Sequence, residues 1–144
     1  MGLYSAYKTN DNLEKNGIRL DYGDFVITVR RAGGSNREYE QEMRKNFQKF
    51  NLANRKSVSE KVNLEMLNAW YIVFARTVVV NWETLKDDEF VQGIEAEDGS
   101  IIEFNEENVI KTFKNLPELF NDVQMQASNM QLFLDQNIED AAKN

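Results

Sequence analysis

Carboxylates are the reactive groups this chain carries in number: 24 Asp and Glu stand against 17 Lys and Arg, with neither histidine nor cysteine. Without imidazole, the commonest general base at neutral pH and the commonest neutral metal ligand are both missing. Without thiols there is no disulfide framework and no thiolate metal site. Ser/His/Asp, Cys/His and zinc arrangements are therefore excluded. What remains is magnesium-assisted hydrolysis, and two carboxylate groupings bear on it: Asp21 with Asp24, and Asp87-Asp88-Glu89. Magnesium needs near-octahedral oxygen ligation from residues that converge in space. The first pair flanks a hairpin turn, where aspartate is expected for its local hydrogen bonds. The second reads as a solvated acidic loop. The expectation is a protein without catalytic activity, cofactor or metal.

Three further groupings point to binding. Gly33-Gly34-Ser35 precedes a helix and offers free amides to an anion, or else is a hinge and N-cap. Arg30, Arg31, Arg37, Arg44, Lys45, Lys49, Arg55 and Lys56 form a cationic stretch. It reads either as a docking surface for an acidic protein partner or as a solvated helix face. Nucleic acid is not the expected partner, since the chain is acidic and shows no basic domain, known motif or stacking platform. On a long C-terminal helix, Leu116, Leu119, Phe120, Val123, Ala127, Met130 and Leu134 form one core-facing stripe. Met125 and Leu132, seven residues apart, fall opposite, and an apolar second stripe suits a partner or another copy. Ordinary surface is the alternative.

The elements that must position these residues read as β-β-α-α-β-β-α-α. Ile18 and Leu20, then Phe25, Ile27 and Val29, alternate around Tyr22-Gly23-Asp24 as a first hairpin. Ser35-Asn36-Arg37-Glu38 reads as a capping box before a helix with Tyr39, Met43, Phe47 and Phe50 on one face. Ser57-Val58-Ser59-Glu60 repeats that signature before a central helix from about Val58 to Trp82, although Tyr71–Val80 is β-branched enough to read as strand. Asp98-Gly99 turns a second, two-residue hairpin between Ile94-Glu95-Ala96 and Ile101-Ile102-Glu103-Phe104. Asn105 is a helix N-cap, followed by Glu106 and Glu107 at the positive end of the dipole. Pro117 opens the last helix.

The fold class is thus α+β: two β-hairpins and about four helices in one helix-dominated domain, with residues 1–13 and 136–144 as loosely held tails. A chain of 144 residues, 42% apolar with nine phenylalanines, can bury a core of its own. The most apolar run, Trp70 to Trp82, is broken by Arg76 and too short to span a bilayer. No N-terminal segment reads as a signal peptide. A soluble cytoplasmic protein is expected, with no membrane partner. The net charge of −7 is unevenly spread. Residues 1–61 carry twelve Lys/Arg and eight Asp/Glu, a net of +4, and residues 62–144 carry five and sixteen, a net of −11. This asymmetry fits a charged partner, head-to-tail self-association, or two solvated faces.

The run Glu97-Asp98-Gly99-Ser100-Ile101-Ile102-Glu103-Phe104-Asn105-Glu106-Glu107-Asn108-Val109 resembles a pattern of phage tail assembly chaperones, as does Leu116-Pro117-Glu118-Leu119-Phe120-Asn121-Asp122-Val123. Gly17-Ile18-Arg19-Leu20-Asp21-Tyr22-Gly23-Asp24-Phe25 and Arg30-Arg31-Ala32-Gly33-Gly34-Ser35-Asn36 are similar to the opening of that family. The resemblance implies a protein of the host bacterial cytoplasm that binds the phage tape-measure protein, a long and largely helical rod, before the tail tube polymerises around it. It implies no catalytic or binding residue position by position. It also implies a longer frameshifted form able to recruit tail tube protein. Ala142-Lys143-Asn144 can be encoded GCA-AAA-AAC, which contains a slippery heptamer. A structural virion protein, such as a tail connector or completion factor, is the alternative. An acidic, divalent-cation enzyme is the third.

Overall fold

Thr77 ends one helix and Val79 begins a strand, and around that junction the molecule is organised. The computed structural model describes residues 2–50 and 59–135. Arg55, Lys56, Ser57, Val58 and residues 136–144 lie outside them. The elements are α1 (Leu3–Tyr7), α2 (Asp11–Asn16), β1 (Ile18–Asp21), β2 (Phe25–Val29), α3 (Arg37–Phe47), α4 (Glu60–Thr77), β3 (Val79–Lys86) and β4 (Glu89–Gln92). They continue with β5 (Ile94–Glu95), β6 (Ile101–Ile102), α5 (Glu106–Asn115), α6 (Pro117–Ala127) and a 3-10 turn at Met130–Phe133. The strands β1-β2-β3-β4 form one antiparallel sheet in that order, and β5-β6 is a separate hairpin. The fold is α+β, as the sequence predicts.

One face of the sheet presents Leu20, Ile27, Val29, Val79 and Trp82 to the helices. Tyr71 and Phe74 of α4, Phe113 of α5 and Phe120 of α6 meet it as an aromatic cluster. The Phe120 ring lies 4.8 Å from Tyr71, 5.2 Å from Phe74 and 5.1 Å from Phe113. Edge-on and tilted contacts of this kind add to the burial each ring already contributes.

Local chemistry accounts for the ends of the elements. The Asn105 side chain accepts from the Asn108 amide at 2.8 Å, and Pro117 stands in the first turn of α6. Ser59, not Ser57, caps α4, accepting from the Val62 amide at 3.2 Å. Asn36, not Ser35, caps α3. Asn36 is buried, and its amide also donates to the Arg31 and Thr77 carbonyls at 2.9 and 2.8 Å.

The sequence reading differs from the structure at five places. The central helix does not run on to Trp82: it stops at Thr77, and Val79–Lys86 is the inner strand β3. Three consecutive β-branched valines, Val78-Val79-Val80, suit a pleated surface better than a helix flank. Asp87-Asp88 is exposed, as expected of an acidic loop, but it is a tight two-residue hairpin turn joining β3 to β4, with φ of 50° and 66°. Aspartate tolerates the left-handed region through its local hydrogen bonding. The hairpin at Asp98-Gly99 has three loop residues, since Ala96 and Ser100 still pair and the Gly99 amide donates back to the Ala96 carbonyl. Gly99, at φ 87°, takes the left-handed position that such a loop requires. Finally, the C-terminal helix ends at Ala127 and not beyond Leu134. The expected loose tail, residues 1–13, instead holds the helix Leu3–Tyr7 and the start of Asp11–Asn16, and the Asn10 amide donates to the Phe133 carbonyl at 2.7 Å.

Candidate functional site

Side chains of β3 hold the β5-β6 hairpin against the sheet. The Trp82 indole donates to the Ile102 carbonyl at 3.1 Å. The Thr84 hydroxyl donates to the Gly93 carbonyl at 2.8 Å and accepts from the Glu95 amide at 3.1 Å. Strand alternation does the rest: the paired Ile94 and Ile102 pack on the core, and the paired Glu95 and Ile101 are exposed. Across from the hairpin, α5 gives way to α6 at Leu116, which the sharp corner before Pro117 leaves 53% exposed.

Between hairpin and corner lies an open apolar hollow of about 270 Å³, floored by Phe25, Ile27, Trp82, Ile94, Leu116 and Leu119. A second hollow of about 470 Å³ continues it beneath the hairpin tip, and the two share Ile94, Glu95, Thr112 and Leu116. The rim carries Asp24, Glu95, Glu97 and Asp98, and no described residue of the lining is basic. The Ser100 hydroxyl, at 2.6 Å, and then its amide, at 3.0 Å, hold the Asp98 carboxyl below its usual pKa. That group is therefore an anion through the neutral range. At the other end, Tyr22 stacks on Phe25 at 4.8 Å and donates to the Asp122 carboxylate at 2.7 Å, fixing α6 to the first hairpin. An apolar groove with an anionic rim suits a segment that presents apolar side chains flanked by cations.

The residues singled out by sequence are not gathered at one place. Met125 is 63% exposed near the end of α6, whereas Leu132 is half-buried in the 3-10 turn and packs on the core. Because α6 ends between them, they do not share a helix face. Arg31 is turned inward onto Glu14, which is only 1% exposed. Glu14 also accepts from the hydroxyls of Thr9, at 2.9 Å, and Ser35, at 3.1 Å. The Gly33-Gly34-Ser35 link thus wraps a buried carboxylate, and a Cβ on Gly34 would collide with it. Arg30 pairs with Glu38 at 3.2 Å. Arg37 and Arg44 are exposed on α3 and form no ion pair among the described residues. Arg55 and Lys56 lie outside those residues. Asp21 accepts from the Gly23 amide at 2.8 Å, an ordinary turn bond.

Among the described residues, no three His, Cys, Asp or Glu side chains cluster as metal ligands would. No described helix is long and apolar enough to cross a membrane. The acid-rimmed groove escapes a linear reading because its floor comes from four separate stretches. The one local signal was Leu116, an apolar residue standing immediately before a helix-opening proline.

Comparison with curated proteins and with solved structures gives no match. The family model of the YdaY prophage protein, by contrast, matches residues 34–144, which include the hairpin, α5, α6 and most of the groove. That stretch is the greater part of the chain, so the protein is phage-derived and belongs to the YdaY prophage protein family.

Proposed function

We propose that this protein is a non-enzymatic tail assembly chaperone that holds the phage tape-measure protein in the host cytoplasm during tail morphogenesis. The observation that supports this reading most is the acid-rimmed apolar groove. Glu97, Asp98, Ile102, Leu116 and Leu119 of its lining come from the two segments that resemble tail assembly chaperones, Glu97–Val109 and Leu116–Val123. A rod-like helical protein free in solution exposes apolar ridges that would otherwise aggregate. Many chaperone copies, each covering one ridge, prevent this through avidity, with modest affinity per site. Basic residues beside each ridge would meet the carboxylate rim.

The test is co-expression with the tape-measure protein of the same phage, followed by affinity capture. The wild-type chain is expected to co-purify with it and keep it soluble. The Leu116→Asp/Glu97→Lys variant changes two exposed residues, so it is expected to fold and to lose capture, because charge in an apolar contact is costly. Capture by neither protein, or equal capture by both, would overturn the reading. Stoichiometric presence in purified virions would favour a tail connector. Saturable, chelator-sensitive hydrolysis by the purified protein would favour an enzyme.

A further inference from the structure

A second groove lies on the other side of α5, between the N-terminal half of α4 and the end of α3. It has a volume of about 640 Å³ and opposite electrostatics. Leu64 and Leu67, three residues apart on α4, are 62% and 38% exposed along it. Lys49, Lys61 and Lys114 surround them, with Glu65 as the one acidic residue among the described residues of the lining. None of the three lysines is ion-paired among the described residues. Two exposed leucines ringed by unpaired ammonium groups call for an apolar side chain flanked by carboxylates.

The outer face of the β5-β6 hairpin has that composition. Ile101 is 43% exposed, with Glu95 directly across the ladder and Glu97, Asp98 and Glu103 exposed around it. Among the described residues only Glu95 of these is ion-paired, with Lys86 at 3.3 Å. Ile101 and Glu103 line neither hollow of the acid-rimmed groove, whereas Glu95, Glu97 and Asp98 also stand at its rim, so the two contacts share those three carboxylates. We infer that the hairpin of one copy docks in the lysine-rimmed groove of a second copy, with Ile101 set against Leu64 and Leu67 and the hairpin carboxylates against Lys49, Lys61 and Lys114. The contact needs no other protein, so it stands or falls separately from the tape-measure reading. It would also space successive copies along a rod. Like charges directly opposed repel and complementary ones attract, so the contact selects hairpin-to-groove pairing over groove-to-groove.

The test is charge reversal in two separate variants of the full chain, Lys61→Glu/Lys114→Glu and Glu97→Lys/Glu103→Lys, studied by sedimentation with circular dichroism as the check on folding. All four positions are exposed, so both variants are expected to fold. Wild type is expected to self-associate, each variant alone to associate at least tenfold more weakly, and the equimolar mixture to recover wild-type association. Recovery on mixing distinguishes a direct contact from a general effect of net charge. A wild type that stays monomeric at high micromolar concentration, variants that associate as wild type does, or a mixture that fails to recover would each overturn the proposal.

Discussion

Glu14 is the residue whose environment departs furthest from its chemistry, a carboxylate sealed in the interior and satisfied by Arg31, Thr9 and Ser35. Breaking such a pair leaves the half-buried Arg31 cation uncompensated. Glu14→Ala should destabilise the fold by about 3 kcal/mol, measured by chemical unfolding. Replacing the exposed Arg37 with alanine should change it by less than about 0.5 kcal/mol. Tyr22 gives a pH signature. Burial first, and the neighbouring Asp122 second, raise its phenol above the ordinary value of about 10. As pH rises the unfolded chain therefore ionises first. The stability Tyr22 contributes is whole below about pH 10 and is lost as pH climbs toward the folded-state value. Burial raises Tyr39 and Tyr71 in the same direction. Stability followed by denaturant titration should therefore fall above pH 10, and Tyr22→Phe should fall less steeply than wild type. Equal slopes would mean that the phenol titrates alike in both states.

Turns and caps decide the elements, and they also decide what could be read from sequence. Asn105, Pro117 and the Asp98-Gly99 turn each carry a local signal that the structure obeys. The β3-β4 hairpin carries none, because Asp87-Asp88 lacks the glycine that normally announces a turn with two positive φ angles. This makes the turn improvable. Asp88→Gly at φ 66° should raise stability by about 0.5 kcal/mol, as relief of backbone strain exceeds the added chain entropy. A lower melting temperature for that variant would show that the aspartate side chain contributes more than its backbone costs. The α4-to-β3 boundary was illegible for a different reason. No Gly or Pro separates Thr77 from Val79, and apolar residues resume directly after Arg76-Thr77. Pairing with β2, in antiparallel register from Phe25–Thr84 to Val29–Val79, and with β4 adds to the preference of the valines and selects strand over helix. The site was less legible than the fold. Arg30 and Arg31 look outward-facing in sequence because nothing local reveals that Glu38 and Glu14 will stand opposite them.

Over the whole molecule the charge split acquires a physical location. The segment with a net charge of −11 supplies Glu95, Glu97 and Asp98 at the rim of the apolar groove. The segment at +4 supplies Lys49 and Lys61 of the second groove, joined there by Lys114. Each groove therefore combines an apolar floor with a rim of one sign, and the two terms respond differently to solution conditions. Exposed rim charges are screened beyond about 10 Å at 0.1 M salt and about 3 Å at 1 M, whereas burial of Leu116 or of Leu64 and Leu67 is not weakened by salt in this way. Capture of the proposed tape-measure partner should therefore weaken about tenfold between 0.05 and 0.5 M sodium chloride and then level off. The loss should lie mainly in the association rate, since steering is what screening removes first. Glu97→Lys should flatten the salt dependence, and Leu116→Asp should lower the plateau. Binding kinetics at several salt concentrations separate the two. A dissociation rate that carries the whole salt effect would place the charges inside the contact and not around it.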